Sequence, residues 1–131
     1  MALTPFLMFT GQAEEAFRFY LSIFPDSALV DVEHYGADEA NVEGTIKRAT
    51  FNLAGQSFIC IDSPPMHAFD FTPSVSFFFD CESEGQLNSL YEALSDGGEV
   101  FMPVDQYPFA KRFVWLADRY GVSWQLSLPL A

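Results

Sequence analysis

The sequence predicts an α+β fold built from two βαβββ modules, and three observations lead to that prediction. Apolar residues recur at helical spacing in two segments, 13–24 and 84–95. Short runs with two-residue alternation surround both segments, as is typical of strands. The order of one strand, one helix and three strands occurs twice along the chain. We therefore expect a mixed β-sheet with the helices on its outer, apolar face.

The first module, predicted over residues 1–62, holds one helix among four strands. Glu14 and Glu15 lie in the first turn of the helix, where negative charge suits the helix dipole. Pro25 ends the helix, and Ala54-Gly55 is typical of a tight hairpin turn. The predicted elements are a strand at 3–9, a helix at 13–24 with the apolar face Ala16, Phe19, Tyr20 and Ile23, and strands at 27–35, 45–53 and 56–62.

The second module, predicted over residues 74–131, follows a proline-rich linker at 63–73. Its helix repeats the spacing of the first helix at a shift of 71 residues, which favours an internal repeat over chance. Residues 1–131 are accordingly predicted to form a single domain of two modules. The predicted elements are a strand at 74–80, a helix at 84–95 with the face Leu87, Leu90, Tyr91 and Leu94, and strands at 98–103, 111–118 and 122–128.

Composition excludes several classes of function. The chain has 131 residues, half of them hydrophobic, and a net charge of −12. This charge would repel nucleic-acid phosphates and anionic membrane surfaces, so neither is expected as a partner. Two cysteines are too few for a disulfide scaffold, and we see neither a signal peptide nor a membrane span. We expect a cytoplasmic protein.

One face of the predicted sheet mixes small polar residues with occasional aromatic ones. In a curled sheet this mixed face would line a cleft suited to a small molecule, whereas in a flat sheet it would meet solvent or a partner chain. Trp115 alternates with apolar residues and is expected to pack in the core, or to stack on a ligand if its strand faces the cleft. Arg112 is expected to form a surface salt bridge, and it is also the cation that we would test as an anion anchor. The predicted binding residues are Asn52, Ser74, Ser76, Arg112, Trp115 and Gln125.

No complete catalytic set is evident in the sequence. His34 and His67 are the only histidines, and each is more typical of a surface residue than of a general base. A metal site built from both would need carboxylates such as Asp62 or Glu43 to converge. Cys60 is expected to be buried and structural, and the acidic neighbours of Cys81 are expected to raise its pKa.

Several segments together resemble a known family. They are TPFLMF at 4–9, AFRFYLSIFPDS at 16–27, FNLAGQSFICID at 51–62 and RFVWLADRYGVSWQL at 112–126. With the repeated module, they resemble the PhnB-like branch of the vicinal-oxygen-chelate superfamily, which includes glyoxalase I, fosfomycin-resistance proteins, extradiol dioxygenases and bleomycin-binding proteins. The resemblance implies a cupped, glyoxalase/bleomycin-resistance-like sheet and a homodimer. Members are often described as a demethylubiquinone methyltransferase domain.

The resemblance also implies where a metal would be held. Enzymes of the superfamily bind a divalent ion with His and Glu, and those positions fall here on Pro5, Ile59, Ser74 and Gln125. These residues lack the charge that a divalent cation needs. We therefore expect small-molecule binding without a metal or other cofactor. The alternatives are a metal-dependent lyase, isomerase or dioxygenase with a relocated site, a protein that sequesters a drug or toxin, and a methyltransferase.

Overall fold

The structure, a computed structural model, describes all residues from Met1 to Ala131. It divides into two compact units, Met1–Ala68 and Phe69–Ala131, and the division falls within the predicted linker. Each unit contains one helix and one four-stranded mixed sheet in the order βαβββ, which confirms the predicted α+β fold of two modules. The curling of the sheets around a shared cup stays a prediction. Neither helix is both long enough and apolar enough to span a membrane.

The first unit has its strands in the spatial order β1-β4-β3-β2. β1 runs parallel to β4, and the other neighbours are antiparallel. The helix α1 packs against β3 and β4, on the face that carries the buried apolar side chains. The elements are β1 (Phe6–Phe9), α1 (Ala13–Ile23), β2 (Ala28–His34), β3 (Ile46–Leu53) and β4 (Gln56–Asp62).

The buried face of α1 differs from the predicted one. Ala16 and Tyr20 are buried as expected, whereas Phe19 and Ile23 are half-exposed. The remaining buried positions in the helix are Ala13 and Phe17, which complete a stripe at i, i+3, i+4 and i+7. Two overlapping stripes of this amphipathic helix fit the same spacing, and only contact with the sheet decides between them.

The start of α1 is held by a residue that lies far away in the sequence. Gln12 makes no side-chain cap, and Gly11 adopts a φ of +118°, a conformation that favours glycine. The carboxylate of Asp62, at the end of β4, accepts hydrogen bonds from the N–H groups of Gly11 (2.8 Å) and Ala13 (3.0 Å) with one oxygen. Its other oxygen accepts the N–H of Ile46 at 2.8 Å. Asp62 thus joins the helix to two strands.

The second unit repeats this topology with the strand order β5-β8-β7-β6, in which β5 is parallel to β8. Its helix α2 packs on β7 and β8 through the buried side chains of Leu87, Leu90 and Leu94. Ser83 caps α2 locally by accepting the N–H of Gln86 at 3.1 Å. The elements are β5 (Phe77–Asp80), α2 (Glu84–Ser95), β6 (Glu99–Tyr107), β7 (Ala110–Ala117) and β8 (Ser123–Leu128).

Two strand boundaries in the second unit correct the sequence prediction. β5 begins at Phe77 instead of residue 74, because Thr72 accepts the N–H of Val75 around Pro73, which lies where a β-turn favours proline. β6 runs to Tyr107, past Pro103, where the predicted strand stopped. Since β6 is an edge strand, the missing N–H of Pro103 need not interrupt the sheet.

Candidate functional site

The second sheet has one face against α2 and an opposite face, here called the open face. Cross-strand register places residues on the open face in three rows, because directly paired residues point to the same side of a sheet. Trp115 and Gln125 pair across β7 and β8, and Phe78 pairs with Gln125 from β5. The rows are Phe78–Gln125–Trp115 in the middle, Asp80–Ser127–Phe113–Asp105 on one side, and Ser76–Ser123–Ala117–Glu99 on the other.

The middle row places a polar amide between two aromatic residues. Gln125 is half-buried on β8, with Trp115 directly opposite on β7 and Phe78 directly opposite on β5. No hydrogen bond within the protein engages the Gln125 side chain, and it is not among the buried groups that would need one. The amide therefore keeps two N–H donors and a carbonyl acceptor for a molecule above the sheet.

The indole of Trp115 is fixed by hydrogen bonds at its edge. Its Nε1–H donates to the Ser123 hydroxyl at 2.9 Å, and the hydroxyls of Ser123 and Ser76 lie 2.7 Å apart. Phe101 contacts the same indole, with ring centroids 5.0 Å apart. Because its polar edge is already paired, the half-buried ring offers a ligand mainly its apolar surface.

Four aromatic rings gather on the Asp80–Asp105 side of the open face. Phe113 lies in their centre, with ring centroids 4.9 Å from Phe109, 5.6 Å from Tyr107 and 6.4 Å from Phe78. Phe113 is buried, whereas Phe78 and Phe109 are 56% and 55% exposed. Exposed apolar surface that is gathered in one place in this way often marks a binding site.

The structure brings three of the predicted binding residues together and separates the other three. Ser76, Trp115 and Gln125 share the open face, although Ser76 lies just before β5. Ser74 lies in the turn before β5, where its hydroxyl is 2.7 Å from that of Thr72. Asn52 is half-buried on β3 in the first unit. Arg112 points to the α2 face, where its Nε–H donates to Glu84 at 3.2 Å.

Three residues of the open face were not selected from the sequence. Phe78 alternates with Ser74 and Ser76 along the predicted strand at 74–80, and a Phe that shares a face with two serines was the available signal. Asp105 and Tyr107 fell between the predicted strands at 98–103 and 111–118, in a segment with no predicted element, whereas the structure has them in β6. Their alternation in the run VDQY, at 104–107, was the available signal, which Pro103 obscured.

Comparison with known proteins decides the family. A family model described as 3-demethylubiquinone-9 3-methyltransferase matches residues 1–127. The chain belongs to this family. A PhnB protein of Bacillus cereus, described as a candidate 3-demethylubiquinone-9 3-methyltransferase, is 47% identical, with a TM-score of 0.95 over 98% of this chain and 99% of that one. The predicted PhnB-like resemblance is confirmed. No curated protein gives a significant match.

More distant structures share the fold of this PhnB-like protein. A glyoxylase/bleomycin resistance protein/dioxygenase domain from a Frankia species is 18% identical, with a TM-score of 0.69 over 98% of this chain and 97% of that one. The fosfomycin resistance protein FosX of Mesorhizobium loti is 11% identical, with a TM-score of 0.63 over 97% and 90%. These neighbours confirm the glyoxalase/bleomycin-resistance-like fold.

The residues at the four positions that the resemblance assigns to metal ligands do not fit a divalent metal. Ile59 and Pro5 have no side-chain donor, Ser74 lies in the turn before β5, and Gln125 is neutral and flanked by aromatic residues. Asp62 was considered as a ligand for a relocated metal site, but both of its carboxylate oxygens accept hydrogen bonds from backbone N–H groups. No group of three or more His, Cys, Asp or Glu residues is arranged to hold a metal ion.

Both cysteines are buried and poorly suited to act as nucleophiles. Burial raises the pKa of the Cys60 thiol to about 12, with a smaller contribution from the charge of Asp62. Burial also raises the pKa of Cys81 to about 11, and the nearby Asp80 adds to the shift. The predicted direction for Cys81 is correct, but burial outweighs the acidic neighbour as its cause.

His34 lies next to a carboxylate that belongs to a different element of the first unit. Its Nε2 is 3.0 Å from Oε1 of Glu14 on α1, while Arg18 donates to the other carboxylate oxygen at 2.9 Å. The hydrogen bond from His34, followed by the contacts with Arg18, lowers the pKa of Glu14. All three side chains are partly exposed at the surface of the first unit, so this arrangement reads as an ion-pair network.

Proposed function

We propose that this PhnB-like protein binds a small organic molecule on the open face of its second sheet, without the divalent metal of the wider superfamily. The observation that carries the proposal is the position of Gln125, whose unengaged amide lies between Trp115 and Phe78. A few placed polar groups among apolar walls are the usual composition of a small-molecule site.

The chemistry of the middle row favours a ligand with a flat apolar part and a hydrogen-bonding edge. The rings of Trp115 and Phe78 provide apolar surface on either side of β8, and Gln125 provides both donors and an acceptor. Because Ser123 and Phe101 hold the indole in place, little side-chain entropy would be lost on binding. The same arrangement contains no base or nucleophile, so the proposal is one of binding and names no reaction.

Ligand screening with matched variants tests the proposal. Aromatic, glycopeptide and phosphonate compounds would be screened for a rise in melting temperature, since a ligand of the folded state stabilises it by mass action. Hits should shift the backbone NMR signals of Gln125 and Trp115. Gln125→Ala should weaken binding about fivefold to twentyfold through the lost hydrogen bonds, while Gln106→Ala, an exposed amide on the opposite face of β6, should not.

Equal loss of affinity in both Gln variants, or hits whose NMR shifts avoid the open face, would contradict the proposal. Trp115→Phe supplies a second check, since it keeps a ring but removes the hydrogen bond to Ser123. Its affinity should fall between those of the wild type and Gln125→Ala.

The alternative functions are separated by two measurements. Stoichiometric divalent metal in protein purified without chelator would favour a metal-dependent lyase, isomerase or dioxygenase. Calorimetric binding of S-adenosylmethionine would favour the methyltransferase named in the family description. We expect neither, because the four positions that the resemblance assigns to metal ligands do not fit a divalent metal and the fold lacks the Gly-rich strand-to-helix turn that usually binds a nucleotide-type donor.

We also propose that the chain forms a homodimer, as the resemblance implied. Exposed large apolar side chains, among them Phe6, Val30 and Val42, support an apolar contact between copies. Light scattering during size-exclusion chromatography would report this directly. A mass at the 14.7 kDa of one chain, at all accessible concentrations, would refute the dimer.

A further inference from the structure

The open face carries more than the apolar surface and amide of its middle row. On one side, the aromatic rings around Phe113 share a row with two carboxylates, Asp80 on β5 and Asp105 on β6. Asp105 pairs directly with Phe113 and lies two residues from Tyr107 on the same strand. Carboxylates and ring faces are the two kinds of group that attract an organic cation in water.

We infer that the ligand of the open face carries a positively charged ammonium group, held by Asp105 and the rings of Tyr107 and Phe109, which pack against the buried Phe113. This inference rests on the proposed function, since it names the chemical class of the molecule bound there. Phe109 is 55% exposed and so offers ring surface to an incoming group. The net charge of −12 further favours a cationic ligand, because it raises the local concentration of cations.

The two carboxylates of the row, Asp80 and Asp105, cannot both contact one ammonium group. They lie on the two edge strands, three strand spacings apart, which is about 14 Å. One ammonium group therefore contacts one of them. Asp105 is favoured because the rings of Tyr107 and Phe109 lie on its side of the row, whereas Phe78 is the only ring that β5 places on the open face beside Asp80.

The geometry of Asp105 leaves it free to accept a cation. Oδ1 accepts the N–H of the next residue, Gln106, at 2.7 Å, and no ion pair neutralises the carboxylate. Tyr107, two residues along β6 from the carboxylate, donates its hydroxyl to the carbonyl of Pro103 at 2.7 Å, which fixes the phenol ring. A defined ring next to an unpaired carboxylate is a preorganised site for a cation.

One positive side chain lies on the same face and opposes a cationic ligand. Lys111 is two residues before Phe113 on β7, so alternation places it on the open face, and it is exposed. It forms no salt bridge. Asp105 and Lys111 should therefore have opposite effects on the affinity for an ammonium group, an opposition that purely apolar binding would not produce.

Three ring-bearing probes of different charge test the inference on the full-length chain. Phenyltrimethylammonium, neutral benzyl alcohol and anionic benzenesulfonate would be titrated with two-dimensional NMR as the readout. The cation should bind about threefold to tenfold more tightly than the neutral probe, with the anion weakest. Its shifts should centre on Tyr107, Phe109 and Phe113, and added salt should weaken its binding.

Variants with matched charge changes sharpen the test. Asp105→Asn should weaken cation binding about twofold to fivefold, and Lys111→Gln should strengthen it by a similar factor. Asp96→Asn, an exposed carboxylate at the end of α2, makes the same charge change as Asp105→Asn and should leave the affinity nearly unchanged. Circular dichroism would confirm that each variant is folded.

The outcomes distinguish this inference from the proposed function. Neutral or anionic probes that match the cation in affinity, with shifts on the open face that depend on Gln125, would overturn the cation and leave small-molecule binding intact. If neither the three probes nor any hit from the ligand screen shifts the NMR signals of the open face, both the inference and the proposed function are overturned. Equal effects of Asp105→Asn and Asp96→Asn would also overturn the assignment to Asp105.

Discussion

The carboxylate of Asp62 and the backbone N–H of Ala13 meet at 3.0 Å although 49 residues separate them. With its bonds to Gly11 and Ile46, this buried carboxylate satisfies three N–H groups at the junction of α1, β3 and β4. Its negative charge also lies at the positive end of the helix dipole. A single side chain thus replaces the local cap that Gln12 does not supply.

Asp62→Ala should destabilise the protein strongly. It leaves three N–H groups without an acceptor, at an expected cost of about 2–4 kcal/mol in the free energy of unfolding. Urea denaturation followed by circular dichroism would measure the change. Asp31→Ala, which removes an exposed carboxylate from β2, is the control and should cost about 0.5 kcal/mol or less. Similar values for both variants would show that the Asp62 junction contributes little.

A second buried carboxylate, Asp118, ties the last hairpin to Trp124. It accepts the N–H groups of Tyr120 and Val122 with one oxygen and the indole N–H of Trp124, at 2.8 Å, with the other. A double-mutant cycle of Asp118→Ala and Trp124→Phe should give a coupling free energy of about 1–2 kcal/mol. Additive effects in urea denaturation would mean that the indole hydrogen bond adds no stability of its own.

The raised pKa values of the cysteines predict a loss of stability at alkaline pH. A thiol whose folded pKa exceeds the unfolded value of 9.0 stabilises the folded state below pH 9. This stabilisation should be lost as the pH rises through about 11 for Cys81 and about 12 for Cys60. The free energy of unfolding of the wild type and of Cys60→Ala would be measured by denaturation at pH values from neutral to alkaline. It should fall less steeply with pH in the variant.

The same burial predicts slow thiol chemistry in the folded protein. Iodoacetamide should modify Cys60 and Cys81 far more slowly in the native state than in urea, because the reactive species is the thiolate. Mass spectrometry of the time course would count the modified residues. Rapid native labelling of either cysteine would contradict the assignment of both as structural.

The surface contact between Glu14 and His34 predicts that the pKa of Glu14 changes when His34 is replaced. His34→Ala should raise the pKa of Glu14 toward its ordinary value of 4.5, because the His34 hydrogen bond is the largest cause that lowers it. Carbon-detected NMR titration of Glu14 would report the value. The lowered pKa of Glu14 stabilises the folded state above pH 4.5, and that stabilisation is lost as the pH falls through the folded pKa. Because His34→Ala has less of this stabilisation to lose, its free energy of unfolding should fall less on acidification. Arg48→Ala, which changes an exposed cation elsewhere in the first unit, should leave Glu14 unaffected.

The sequence predicted the fold well where local patterns decide the structure. The bounds of β4 and α2, at 56–62 and 84–95, agree with the prediction because turn residues and a Ser83 cap mark them locally. The edge position of β6 could not be read locally, so Pro103 was taken as the end of a strand. The face of Arg112 follows from the register of β7, and alternation alone does not fix which face binds a ligand.

The two modules begin their helices in different ways, and the difference has a consequence for folding. Ser83 lies next to α2, so the second helix can start as soon as its own residues are made. The first helix needs Asp62, so its opening turn is completed only after the chain has returned through three further strands. The two modules should therefore fold in a different order of events although they share one topology. We expect α2 to be formed already in the folding transition state and the first turn of α1 to form after it.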